Sequence, residues 1–238
     1  MTNKEFVSKL INIAKNYKTL YVMGCFGAPM TEANKQRYIN HHEYNRRANP
    51  KKCIMGASAN TFGFDCVNLI KGVLWGWNGD KSKTYGGAKY AVNGVPDINA
   101  DVMITKCSNI STNFSNIEVG EAVWCPGHIG VYIGDGLAVE CTPSWKNCVQ
   151  ITACNCTKSG YNRRNWTKHG KLPYITYESG KKKMLETGND IVWELMNGKH
   201  KVKIDDVKRA VTALDKAKNN QEYMSLYWIL YKLVNGNG

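Results

Sequence analysis

The stretch 128–142 restricts the fold of this chain more than any other feature. His128-Ile-Gly-Val-Tyr-Ile-Gly-Asp-Gly136 alternates apolar with small or polar side chains, and Leu137-Ala-Val-Glu-Cys-Thr142 returns from it. Period-two alternation on either side of a Gly-Asp-Gly turn predicts a β-hairpin. A hairpin is not stable alone, so its apolar face needs a covering layer. The preceding sequence offers one. Thr2-Asn-Lys-Glu5 reads as a capping box, and Phe6, Leu10, Ile13, Ala14 and Tyr17 follow at helical spacing. Asp65 is a natural N-cap for a second helix, with Val67, Ile70, Val73 and Leu74 on its apolar face and Gly76 as its stop.

Residues 121–125, 149–152 and 174–177 read as further short strands. Helices first and strands second predict an α+β fold. Residues 20–29 carry glycines and a proline and read as a turn-rich approach to a site rather than a regular element. Residues 31–60 are polar and basic and read as a long loop or a short helical insertion, with His41 and His42 as solvated side chains. A main domain over 1–178 is expected, then a linker over 179–189 containing Lys181-Lys182-Lys183. A helical module over 190–238 follows, with helices at 190–197, 203–218 and 221–235.

Composition narrows the class. No apolar run approaches the length of a membrane span, so none is expected. The first residues lack the apolar block of a signal peptide. A chain made in the cytoplasm is expected; to act on a target outside the membrane it needs release by another protein, or carriage on a phage particle. The net charge of +13 favours polyanions. Nucleic acid is not expected as the partner, because no recognised nucleic-acid-binding motif accompanies the charge. Nine cysteines, an odd number, argue against a disulfide framework. Cys141, Cys148, Cys154 and Cys156 cluster without a C-x-x-C pair, so no metal site is expected.

Two segments suggest chemistry. Cys66 falls in the first turn of the helix behind Asp65. A helix start lowers a thiol's pKa and offers free backbone N–H groups, here those about Cys66 and Val67, to a developing oxyanion. His128 opens its strand directly after Trp124-Cys-Pro-Gly127, a position from which a side chain can project into a cleft. Glu140 stands on the returning strand among Ala138, Val139 and Cys141. A carboxylate there is either solvated or held by a partner, and a nearby histidine favours the partner.

Together, Tyr21-Val-Met-Gly24, Gly63-Phe-Asp-Cys66, Gly120-Glu-Ala-Val and the His128 hairpin resemble the NlpC-type family of peptidoglycan cysteine peptidases. The resemblance covers roughly residues 1–177. It implies a papain-like fold and hydrolysis of amide bonds in wall peptides, by an endopeptidase or an N-acetylmuramoyl-L-alanine amidase. Cys66 would be the nucleophile, His128 the base and Glu140 the third polar group. Tyr21 would assist substrate or oxyanion binding, with Asp65 and Val67 flanking the thiol. No cofactor is implied. Val67-Asn68 replaces the family's Ser-Gly, and Glu140 stands where His, Asn or Gln is usual; a glutamate there resembles the related CHAP family of amidases and peptidases. Bacterial peptidoglycan and anionic wall polymers are the expected partners, and a phage lysin is the expected setting. A transpeptidase or acyltransferase on the same scaffold, or a non-catalytic wall-binding protein, is the alternative. Trp193, Tyr227, Trp228 and Tyr231 in the basic C-terminal module are candidates for wall binding, with core packing or dimerisation as other readings. Nothing in the sequence sets an oligomeric state.

Overall fold

In the computed structural model, which describes residues 1–178, helix α1 (Asn3–Asn16) begins at the capping box. Glu5 N donates to Thr2 Oγ1 at 3.2 Å and Thr2 N donates to Glu5 Oε2 at 2.9 Å. One face of α1 buries Phe6, Val7, Leu10 and Ile13.

Residues 20–29 are more regular than their glycines suggest. They contribute strands β1 (Thr19–Tyr21) and β2 (Phe26–Pro29). Residues 31–60 form a helical insertion of α2 (Glu32–His41), α3 (Glu43–Arg46) and α4 (Ala48–Gly56). Strand β3 (Phe62–Phe64) then lies between β1 and β2 in a three-stranded sheet, parallel to β1 and antiparallel to β2. Pairing with β3 supplies the backbone partners that a local reading of 20–29 cannot see. The insertion grips the segment after β1 through Asn45, which is fully buried. Its amide donates to Met23 O and Tyr38 O, each at 2.9 Å, and accepts from Met23 N at 3.1 Å.

Helix α5 (Cys66–Leu74) follows β3 directly, and all nine of its residues are buried. Its amphipathic pattern therefore understates its burial. Even Lys71 is buried, bonded to Asp97 and to Ile98 O. Gly72 is required by packing, since a Cβ there would meet Phe26 O at 2.8 Å.

After α6 (Ala100–Lys106), the remaining strands build a seven-stranded sheet. They are β4 (Ser108–Ser111), β5 (Ala122–Cys125), β6 (His128–Gly134), β7 (Leu137–Thr142), β8 (Cys148–Cys154), β9 (Arg163–Arg164) and β10 (Lys168–Lys171), in the order β4-β10-β5-β6-β7-β8-β9. The predicted hairpin is β6–β7. Asp135 and Gly136, at φ 52° and 68°, make its two-residue turn. Ile129, Val131, Val139, Cys141 and Val149 join the same core as α1 and α5. Val123, Ala138, Cys154 and Trp166 form a separate cluster.

The fold is thus α+β, as expected. Residues 174–177 are not a strand; Thr176 makes only an isolated bridge to Thr2. The strand at that end of the chain is β10, which inserts between β4 and β5. No helix of the described residues is long and apolar enough to cross a membrane. The expected linker and helical module, with Trp193, Tyr227, Trp228 and Tyr231, lie outside the described residues.

Candidate active site

Asp65 caps α5 as its sequence position predicts. Its Oδ1 accepts from Asn68 N at 2.7 Å, while Oδ2 accepts from Asn68 Nδ2 at 2.7 Å and from Gly24 N at 2.8 Å. Its carboxylate is therefore spent on holding the helix start against the β1–β2 turn, not offered to a substrate. Burial raises its pKa, with these hydrogen bonds opposing.

Cys66 is the first residue of α5 and is 8% exposed. Its thiol sits among the backbone N–H groups of Ile129, Val67 and Cys66 itself. The Ile129 contact matters most, because Ile129 follows His128 and brings the thiol to the mouth of β6. A helix start is expected to acidify a thiol, but burial dominates here. It pushes the Cys66 pKa up to about 12, helped by the Asp65 carboxylate and opposed by those N–H groups. At neutral pH the side chain is therefore a thiol, and it could act as a nucleophile only with a base. Val67 contributes its backbone, while its side chain lies in the core.

Tyr21 ends β1 and is buried. Burial, then the charges of Cys66, Asp65, Cys141 and Tyr44, raise its pKa. Its phenol stays protonated beside the thiol and can serve only as a neutral donor or acceptor. Tyr44 of the insertion packs edge-on against it at 5.7 Å.

His128 Nε2 lies 2.7 Å from Glu140 Oε2. The two are diagonal neighbours on adjacent strands, in the register that pairs Val131 with Val139. Glu140 is fully buried, so the partner reading of this carboxylate holds over the solvated one. Thr152 Oγ1 donates to its Oε1 at 2.7 Å and Arg164 Nε donates to the same oxygen at 2.9 Å. Burial works to raise the Glu140 pKa, but the hydrogen bonds and positive charge of His128 and Arg164 outweigh it and hold the carboxyl below its usual range. An ionised Glu140 accepts a hydrogen bond from Nε2, and in the neutral imidazole with that tautomer Nδ1 is an acceptor. Among the described residues no hydrogen bond yet joins Cys66 Sγ to the imidazole, a common looseness in sites without substrate.

Three supports were not legible in the sequence. Trp166 stacks on His128 with ring centroids 5.5 Å apart and planes within 9°. Gly130 makes room for it, since a Cβ there would meet Trp166 Cη2 at 3.0 Å. Asp101 on α6 accepts from Trp124 Nε1 and Gly127 N, both at 2.8 Å, and so pins the turn that delivers His128. Arg164 completes the Glu140 cluster. Spacing from the motif residues does not reveal any of the three, because each arrives from a separate element.

The other sequence candidates disperse. Cys141 Sγ donates to Phe64 O at 3.2 Å, whereas Cys156 Sγ donates to Gly136 O at 3.4 Å. All nine cysteines are unpaired. Among the described residues no three His, Cys, Asp or Glu side chains converge to hold a metal. His41 is exposed, but His42 is half-buried with its ring against Gly24. A cavity of about 300 Å³ lies elsewhere, lined by Asn113, Glu118, Glu121, His169 and Lys171 among others. Comparison of the chain with protein-family models and with curated proteins finds no match.

Proposed function

We propose that this chain is a papain-like cysteine hydrolase of the NlpC type that cleaves amide bonds in the stem peptides or cross-bridges of bacterial peptidoglycan. The observation that carries the reading is one constellation. A cysteine opens a buried helix beside the strand that presents a histidine, and that histidine is held through Nε2 by a fully buried carboxylate.

The chemistry follows from the protonation states. Because the thiol is protonated at rest, His128 Nδ1 takes its proton as sulfur attacks the amide carbonyl. Glu140 steadies the imidazolium that forms. Backbone N–H groups at the start of α5 stabilise the oxyanion, and Tyr21 can add a neutral donor. The imidazolium then protonates the leaving amine. Water, deprotonated by His128, hydrolyses the acyl-enzyme. No step needs a cofactor. The excess of positive charge suits anionic wall polymers, and a phage lysin acting on the wall after release, or as part of a phage particle, is the setting we favour.

The test is mass spectrometry of soluble fragments released from purified peptidoglycan by wild type and by Cys66→Ala. New peptide termini with wild type alone support the reading and identify the bond. Equal release by both proteins would remove Cys66 from the mechanism, and no release from walls of several chemotypes would remove the function.

A further inference from the structure

Glu140 poses an electrostatic problem for a base. A buried carboxylate next to an imidazole stabilises imidazolium, and a histidine that is already protonated cannot accept the thiol proton. The fold brings a second cation to the same carboxylate. Arg164 Nε donates to Glu140 Oε1 at 2.9 Å and Arg164 Nη2 donates to Thr142 Oγ1 at 3.0 Å. The guanidinium lies 4.8 Å from the Trp145 ring and 5.7 Å from the Trp166 ring, and Trp166 in turn stacks on His128. Trp145 is 47% exposed and adopts φ 56°, a left-handed conformation unusual for such a side chain. Trp166 Nε1 is buried without an acceptor, so stacking rather than hydrogen bonding places its ring.

We propose that Arg164 is a positioning residue of the Cys66–His128 site. Held between two indoles, its guanidinium neutralises the buried Glu140 carboxylate and so leaves His128 free to act as a neutral base. The inference rests on the reading of His128 as a base.

The charged and titratable groups around this cluster come from six elements. They are Cys66 on α5, Asp101 on α6, Cys125 on β5, Glu140 on β7, Cys154 on β8 and Arg164 on β9, about His128 on β6. Of these, Glu140 alone bonds to both His128 and Arg164. With Arg164 removed, the His128–Glu140 pair carries a net negative charge whenever the imidazole is neutral. Whichever member takes it, the pair then keeps one proton to higher pH.

The experiment is an NMR titration of imidazole-labelled full-length protein, with the pH dependence of fragment release measured in parallel. In Arg164→Met the His128 midpoint is expected to rise by about 1–2 pH units, and the acid limb of kcat/KM to rise with it. Arg164→Lys keeps the charge and should return the midpoint to within roughly half a unit of wild type. In the Glu140→Gln background there is no anion to neutralise, so adding Arg164→Met should not raise the midpoint. A folded Arg164→Met whose midpoint stays with wild type would overturn the proposal. If Arg164→Met does not fold, Glu140→Gln/Arg164→Met decides. Folding of the double variant supports an uncompensated carboxylate as the fault, whereas continued unfolding assigns Arg164 to packing and rejects the proposal. The titration needs no turnover, so failure of the hydrolase reading and failure of the Arg164 role remain distinguishable.

Discussion

Among the described residues two histidines are each held by a buried glutamate, yet they differ in what their second ring nitrogen does. His169 Nδ1 is bonded to Glu121 Oε2, and its Nε2 donates to Asn113 O at 2.9 Å. Both ring nitrogens are spent, and its side chain is 4% exposed. His128 commits Nε2 alone, its side chain is 15% exposed, and it stands at a strand mouth beside a thiol. A His–Glu pair is therefore no site by itself. A free ring nitrogen near a thiol is what would distinguish the proposed base from the clasp.

The carboxylates differ as well. Glu140 is bonded by His128 and by the Arg164 guanidinium and is held below the usual carboxylate range despite its burial. Glu121 is pushed above that range, first by burial and also by Glu118, with His169 and Lys171 opposing.

The largest expected contrast comes from replacing each histidine by asparagine. His128→Asn should lower kcat for fragment release by roughly 10³-fold with little loss of stability. His169→Asn should cost about 2–3 kcal/mol in urea unfolding while the folded fraction keeps near-normal kcat. Equal kinetic losses in the two would erase the distinction between base and clasp. Glu140→Gln comes next, with kcat down by roughly 10²-fold because the amide oxygen can still accept from Nε2 but carries no charge to steady the imidazolium. Glu121→Gln should leave kcat intact.

The pH dependence of stability should separate the pairs by sign. Glu140 titrates lower in the folded chain than in the unfolded one. Its contribution is present above the unfolded carboxylate pKa and lost as pH falls through the depressed folded value. Glu121 has the raised value. Its contribution is full below the unfolded pKa and lost as pH rises through the folded one. Acid should therefore narrow the stability gap between wild type and Glu140→Gln and move the gap to Glu121→Gln in favour of wild type. Both differences can be read from urea midpoints taken from about pH 3 to 7. The smallest effect is expected from Thr152→Val, which removes one neutral donor to Glu140 Oε1. It should cost about 1 kcal/mol of stability and a few-fold in kcat.

How much of this was readable from the sequence depended on how local the cause was. The capping box at Thr2, the Asp65 cap and the Asp135-Gly136 turn each act within a few residues, so residue type and spacing predict them. Residues 20–29 misled because their strands exist only through pairing with β3, and residues 174–177 because β10 occupies the place a terminal strand would take. The thiol misled for a related reason. Its helix position alone argues for a lowered pKa, while its burial, set by everything packed around α5, drives it up to about 12.

By itself, then, the sequence determined the α+β order, the helix start that carries Cys66, the hairpin that carries His128 and Glu140, and the identity of those candidates. Only the tertiary structure decided that Glu140 is buried rather than solvated and that Arg164 compensates it. It also decided that Trp166 covers the imidazole and that His169 and Glu121 form a second His–Glu pair. Short-range hydrogen bonding and period leave a trace in neighbouring residues. Burial and charge compensation come from elements far apart in the chain and leave none.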